Sequence, residues 1–364
     1  MKLRKAGALL TLALAAAVAA GCSASAGGDK AGGPAGGQVV LRMASTPSGV
    51  SDASPVADFV QRVQSLSGGS VQIKVISQWG DYAPGAEAQV VRAVASGTVD
   101  LGWAGSRVFD TMGAPGFGAL SAPMLIESYP LETAVLKSSL PTRMLAELSR
   151  VHVTGLAVLG DVLRHPYAVH RPLLAPATWR GLSIGTYRSG VQEQAIRALG
   201  ATPVVAFGPY RAHDLASGAI QGFELDMRTY VHLGLVASAR YVTANVVLWP
   251  QFDVLFANPA RLASLTAQQR AWLQQAAAAA SSSSVMLVAG QDGRNIKRAC
   301  ALGARFVNAT PADLAALRQA FTPVYRSLER DPQASAFIAQ IQQLKKATPP
   351  GPAPAIPAGC AARR

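Results

Sequence analysis

From Val39 onward, short apolar strands alternate with amphipathic helices, and this alternation confines the chain to an α/β architecture. VVLRMAS reads as a strand. Ser54 and Pro55 then supply a cap and a first-turn proline for a helix whose apolar residues Val56, Phe59, Val60, Val63 and Leu66 follow helical spacing, and Gly68-Gly69 ends it. VQIKVIS is the next strand, AEAQVVRAVASG the next helix and TVDLGWA the strand after it. With roughly 300 residues to order, the chain exceeds what one core usually holds, so two lobes are expected.

A second series starts at VHVTGLAVLG and runs through YAVHR, LSIGTY, the helix VQEQAIRALG, the strand TPVVAF, a helix near YRAHDLASG and the strand AIQGFEL. The chain then returns through RYVTANVVLWPQFDVLFANP, read as two extended segments broken at Trp249-Pro250, which implies strands shared between lobes. An Ala-rich helix follows over residues 266–302, with a middle expected to be weakened by its serines. Further helices lie near PADLAALRQAF and ASAFIAQIQQLKK.

The amino terminus sets the compartment. Lys2, Arg4 and Lys5 precede the apolar run AGALLTLALAAAVAA, then Gly21-Cys22. A run of about 15 apolar residues is short for a membrane span, so residues 1–21 read as a secretory signal peptide. Ala-Ala-Gly-Cys resembles a bacterial lipobox, which would make Cys22 the lipidated first residue of the mature chain and place it on the extracytoplasmic face of the cell membrane. Residues 22–38, rich in Gly, Ala and Ser, form a flexible tether. Cys300 and Cys360 are then an even pair in an exported chain, expected to bond and to tie down the Pro-rich tail 346–364.

The formal charge is +13, spread along the chain without a block of five Lys or Arg and without basic residues interleaved with aromatics. Nucleic-acid binding is therefore not expected, and a diffuse positive field suits small anions or an anionic surface. No Gly-x-Ser-x-Gly occurs, and Ser106 and Ser189 have no motif partner, which disfavours an exported hydrolase. His152, His165, His170, His213 and His232 are scattered, with no zinc spacing, and no cofactor is expected. The stretch WRGLSIGTYRSG lacks the Lys-Ser/Thr end of a nucleotide loop, so it reads as a ligand-facing strand-to-helix junction.

Two passages resemble the extracytoplasmic solute-binding proteins of tripartite ATP-independent periplasmic (TRAP) transporters, the dicarboxylate-binding family. They are EAQVVRAVASGTVDLGWAG, and GLSIGTYRSGVQEQAIRALGATPVVAF followed by LASGAIQGFE. NPARLASLTAQQRAWLQQAAA resembles the segment before that family's long scaffold helix. The resemblance implies a two-lobed, periplasmic-binding-protein-like α/β fold over 39–345, with shared hinge strands and a long C-terminal scaffold helix. Lobe 1 would take about 39–160 and part of 245–300, and lobe 2 about 161–244 and the C-terminal helices. It also implies a non-enzymatic protein that captures a small, anionic organic solute in an interlobe cleft and passes it to membrane subunits on other chains. Service to another transporter or to a sensor is the alternative.

Family members grip a carboxylate with two arginines, since a planar guanidinium donates two parallel hydrogen bonds. Arg164 matches one of them. The other falls at Gly185, which has no side chain to grip with, and Arg188 at the following junction is the expected replacement. Glu87, Tyr187, Trp103, Phe207 and Glu224 complete the expected ligand contacts, with Tyr82, Phe223 and Trp249 as further aromatics near the cleft. FGPYRAHDL is one residue longer than the family pattern, and Leu225 stands where a polar contact is common. These departures favour a ligand less carboxylate-like, larger or more apolar than a small dicarboxylate.

Overall fold

The computed structural model describes residues 38–47, 49, 54–351 and 353–362. The signal peptide, Cys22 and nearly all of the tether lie outside the described residues. Ten strands form the sheet framework: β1 (Val39–Ala44), β2 (Val71–Ile76), β3 (Leu101–Gly105), β4 (Thr154–Ala168), β5 (Ser183–Thr186), β6 (Thr202–Val205), β7 (Gly222–Leu225), β8 (Tyr241–Thr243), β9 (Trp249–Ala257) and β10 (Arg305–Val307). Their main order is β2-β1-β3-β9-β4-β7-β5-β6, with β8 joining β10 to β4. The β1/β2 and β1/β3 pairs are parallel, as strand-helix-strand units require, whereas β9 runs antiparallel to both β3 and β4.

β4 is the element on which the architecture turns. It is one continuous strand where the sequence suggested two segments. Residues Thr154 to Arg164 pair with β9, and His165 to Ala168 pair with β7 on the second side. The register slips between Gly160 and Leu163, a bulge that re-aims the strand as it passes from one set of strands to the next. The return segment also differs from expectation. Trp249-Pro250 opens β9 rather than breaking a strand, because Pro250 sits opposite Leu163 beside the bulge, where a missing N–H costs no regular ladder bond.

The long helix is Ala267–Ala301, unbroken over 35 residues. Its middle is not weakened as expected, because its serines are engaged with the hinge strand. Ser281 Oγ donates to the Val158 carbonyl at 2.7 Å, and the Gly160 N–H donates to Ser284 Oγ at 2.9 Å. Leu273, Ala276, Ala277 and Ala280, at helical spacing, pack against Leu41, Leu159 and Leu255 of the sheet. Separate cores lie on the other layers: one around Phe109, Phe117 and Phe256, another around Trp179, Ile184 and Phe321, and a third around Tyr167, Phe223 and Tyr230. Cys300 and Cys360 are joined in a disulfide with Cα atoms 5.6 Å apart. Beyond it the Ala362 N–H donates to the Phe306 carbonyl, which sets this part of the tail against β10. No helix among the described residues is long and apolar enough to cross a membrane.

Candidate functional site

Where β4 crosses between the strand groups, buried charge collects around one aromatic ring. Tyr187, just past the end of β5, has the Arg107 guanidinium carbon 4.0 Å from its ring centroid, that of Arg164 at 4.5 Å and that of Arg211 at 5.4 Å. Three cations at this distance from a ring face are attracted by its quadrupole but repel one another. They come from three elements: the 3-10 turn Ser106–Thr111 after β3, the hinge strand β4, and the helix Tyr210–Ala216 after β6.

Two of the three have carboxylates. Arg107 Nη2 donates to Glu87 Oε1 at 2.7 Å, and the same oxygen accepts the Gly105 N–H at 3.0 Å. Arg164 Nε is paired with Glu224 Oε2, and its Nη2 donates to the Glu224 carbonyl at 3.1 Å. Glu224 is saturated, since Thr186 Oγ1 donates to its Oε1 at 2.9 Å and Trp249 Nε1 to its Oε2 at 3.2 Å. Gln251 ties the pairs together, its Oε1 accepting from Arg107 Nη1 at 3.3 Å and from Arg164 Nη1 at 3.0 Å. Behind it, Gln251 Nε2 donates to Asp253 Oδ1 at 3.1 Å. Burial pushes the Asp253 carboxyl up to about 6, with Arg107 pulling the other way.

Arg211 is different. It is fully buried, yet its one hydrogen bond runs from Nη2 to the Ala206 carbonyl at 2.8 Å, while Nε and Nη1 have no partner. Its second aromatic neighbour is Phe223, 5.6 Å from the guanidinium carbon. A buried guanidinium with two idle donors is costly.

The position that lacks the expected arginine adjoins it. A side chain on Gly185 would meet Ile220 Cδ1 at 2.9 Å, Phe223 Cβ at 3.3 Å and Ala206 Cβ at 3.4 Å. Two of those residues, Phe223 and Ala206, are also neighbours of Arg211. Gly208 adopts φ of 56°, and the Tyr82 ring would lie 2.4 Å from a Cβ there, so only glycine fits the turn that leads into the Arg211 helix.

The structure brings Glu87, Tyr187, Arg188 and Phe207 together around a residual space of about 10 Å³, room for roughly one water molecule. Phe207 meets Tyr187 edge-on at 4.9 Å and Tyr82 at 5.9 Å. Arg164 and Glu224 join this set through the Tyr187 ring and Thr186. Arg188 is exposed, and the amides of the helix it precedes are engaged elsewhere: Asp110 accepts from Ser189 Oγ at 2.8 Å and from the Gly190 and Val191 N–H groups at 3.3 Å each. Trp103 stands apart, packed in the core beneath β1 with Nε1 donating to Ser45 Oγ at 3.2 Å. Phe223 is buried in a stack with Tyr167. Arg107, Arg211 and Gln251 escaped sequence reasoning. The one available signal was an arginine set among small or apolar residues, in GSRVF and again in GPYRAH. Among the described residues, no group of three or more His, Cys, Asp or Glu is placed to hold a metal ion.

The fold is that of known periplasmic binding proteins. A TRAP periplasmic solute-binding protein of Chromohalobacter salexigens with bound D-glucuronate superposes with a TM-score of 0.74 at 18% identity, over 84% of this chain and 99% of that one. One from Ralstonia eutropha with bound (S)-2-acetolactate gives 0.75 at 18% identity, over 85% and 99%. One from Bradyrhizobium in complex with D-galacturonate gives 0.74 at 22%, over 83% and 99%. These are two-lobed proteins with a long C-terminal helix. No curated protein matches the sequence. Residues 45–331 match the DctP family, described as bacterial extracellular solute-binding protein, family 7, and the chain belongs to this family of solute-binding proteins.

Proposed function

We propose that the chain captures a small organic acid in the cleft around Tyr187 and delivers it to TRAP-type membrane subunits on other chains. The observation that carries this reading is Arg211: of the three buried guanidinium groups at Tyr187, Arg107 and Arg164 pair with Glu87 and Glu224, whereas Arg211 bonds only a backbone carbonyl and holds two idle donors. A carboxylate there would receive charge-assisted hydrogen bonds contributing roughly 1.5–3 kcal/mol each. The bound uronate and acetolactate of the structural relatives are small carboxylates of this class.

In this reading Arg211 does the work that Gly185 cannot, while Arg107 and Arg164 complete the grip. Tyr187, Phe207, Arg188 and Glu87 line the remainder, and Glu224 positions Arg164. Lobe 1 takes about 39–160 with part of 245–300, and lobe 2 about 161–244 with the C-terminal helices. A solute touching Arg107 on one lobe and Arg211 on the other favours the closed form by the affinity difference between the two states. Removal of residues 1–21 and lipidation of Cys22 would hold the protein at the membrane surface on the 22–38 tether.

The test is native mass spectrometry of the purified mature protein, with thermal melts in D-glucuronate, D-galacturonate and 2-acetolactate. A co-purified anionic solute, or a raised melting temperature with one of these acids, is expected. A retained solute without an acidic group would overturn the proposal, and so would the absence of both retention and shift.

A further inference from the structure

Gln251 joins the cleft to two carboxyl groups behind it. Its Oε1 accepts from Arg107 and Arg164, and its Nε2 donates to Asp253 Oδ1 at 3.1 Å and reaches toward Asp161 Oδ2 at 3.4 Å. One amide thus separates two arginines from two carboxyls. Asp161 lies in the β4 bulge between Gly160 and Leu163, and Asp253 stands on β9 opposite Leu159, so the pair sits where β4 passes from one strand group to the next. Both side chains are fully buried. Asp253 Oδ2 and Asp161 Oδ1 have no hydrogen-bond partner, although Arg228 Nη2 approaches the latter to 3.7 Å. Two carboxylates buried on the same amide repel each other, and desolvation disfavours the second charge.

Every neighbouring element adds a group to the field on this pair. The helix Tyr129–Lys137 brings Tyr129 and Glu132, whose Oε1 accepts the Asp161 N–H at 3.1 Å. Glu87 comes from the helix Ala86–Ala95, Arg228 from the helix Met227–His232 and Asp226 from the cap of that helix. Asp292 of the long helix acts through Glu132 and Arg228, and Arg107 and Arg164 act from the cleft. Burial raises both carboxyls of the pair. Repulsion from Asp253 raises Asp161 further, and Arg107 is the largest opposing influence on Asp253. Arg107 also belongs to the solute's grip. A solute carboxylate on Arg107 weakens the positive field that favours ionised Asp253, so the bound acid raises the pair's affinity for a proton. By linkage, a proton on the pair raises the affinity for the acid by the same factor.

We propose that the cleft takes up its acid together with a proton, the solute carboxylate resting on Arg107 and Arg164 and the proton, drawn from bulk water, on the Asp161–Asp253 pair behind Gln251. This rests on the acid-binding reading of the cleft. The anion and the proton cancel in charge, so closure over the solute buries no added net charge at the hinge.

Isothermal titration calorimetry of the full mature protein tests it, with D-glucuronate, D-galacturonate and 2-acetolactate, acids that stay ionised across the range used. Titrations at about pH 6.5 in buffers of different ionisation enthalpy should show about half a proton taken up per acid bound, and the affinity should be about fivefold higher at about pH 5.5 than at about pH 7.5. Asp253→Asn, isosteric with the protonated side chain, should bind the acid without proton uptake and with an affinity independent of pH. Asp161→Asn should reduce the uptake as well, and serves if the first variant does not fold. Asp110→Asn is the control, because Asp110 is also raised to about 6 but caps a helix outside the Gln251 network, and it should keep the parent's uptake. If none of the three acids binds at either pH, the acid-binding reading falls and this proposal with it. Binding without proton uptake, or uptake that survives in the folded Asp253 and Asp161 variants or vanishes in Asp110→Asn, overturns the proposal alone.

Discussion

Two arginines 4.5 and 5.4 Å from the same ring should respond in opposite ways to the same substitution. Arg211→Met removes a guanidinium that is fully buried and has one hydrogen bond, to the Ala206 carbonyl. The loss is that bond, worth about 1 kcal/mol, and two cation–π contacts of roughly 0.5–1 kcal/mol each. The gain is relief from desolvating an unpaired charge, several kcal/mol. No carboxylate is orphaned, so the empty protein should be as stable as the parent or more stable by about 1–2 kcal/mol. Arg164→Met instead strands the fully buried Glu224, and breaking such a pair from one side costs about 3–5 kcal/mol. Binding should follow another order: both variants lose an acid by more than tenfold, since each removes at least one charge-assisted bond. Urea unfolding of the solute-free proteins and calorimetry with the co-purified solute measure the two quantities. If Arg211→Met destabilises the empty protein by as much as Arg164→Met does, Arg211 is a structural residue and the reasoning fails.

The disulfide closes a loop with a sequence separation of 60, so Cys360→Ser should lower stability by about 4 kcal/mol in the chain-entropy picture; an unfolding midpoint insensitive to reductant in the parent would contradict this. Stability should also fall as pH rises from about 4 through 6. Burial raises the carboxyls of Asp110, Asp253 and Asp292 to about 6, so the folded state binds more protons than the unfolded chain in that window. Glu132 and Asp161, raised further by burial, extend the trend upward, while His165, lowered to about 4, opposes it below pH 6.5. Asp253→Asn should flatten the slope of melting temperature against pH, and a melting temperature that climbs from pH 5 to 8 would refute the assignment.

The element pattern was legible because it rests on local periodicity. Val56, Phe59 and Val63 are all buried, as their spacing requires. What escaped was set by distant partners. Pro250 looks like a strand breaker until Leu163 stands opposite it at a bulge, and the serines of the long helix look weak until Val158 and Gly160 meet them. At the site, the sequence showed that Gly185 has no side chain to grip with and pointed by spacing to Arg188, which is exposed. The buried guanidinium next to the Phe223 and Ala206 contacts of Gly185 is that of Arg211, 26 positions along the chain, in a helix entered through a turn that depends on Gly208. Trp103, placed at the cleft by sequence, faces the core because its strand is buried on both sides. Asp110, with no motif around it, caps the helix whose amides seemed open to a ligand.

If the proposed cleft is the binding site, the Tyr187 ring, held among three guanidinium groups, would act as an internal competitor for the solute. An entering acid would then gain only the difference between its own contacts and those the ring already makes, each 1.4 kcal/mol of which is a factor of ten in affinity. Weak anions such as chloride would be turned away by the same threshold that a well-matched carboxylate crosses. In a protein with an excess of positive charge, a side chain that screens the site against the commonest anions would do for selectivity what an added contact could not.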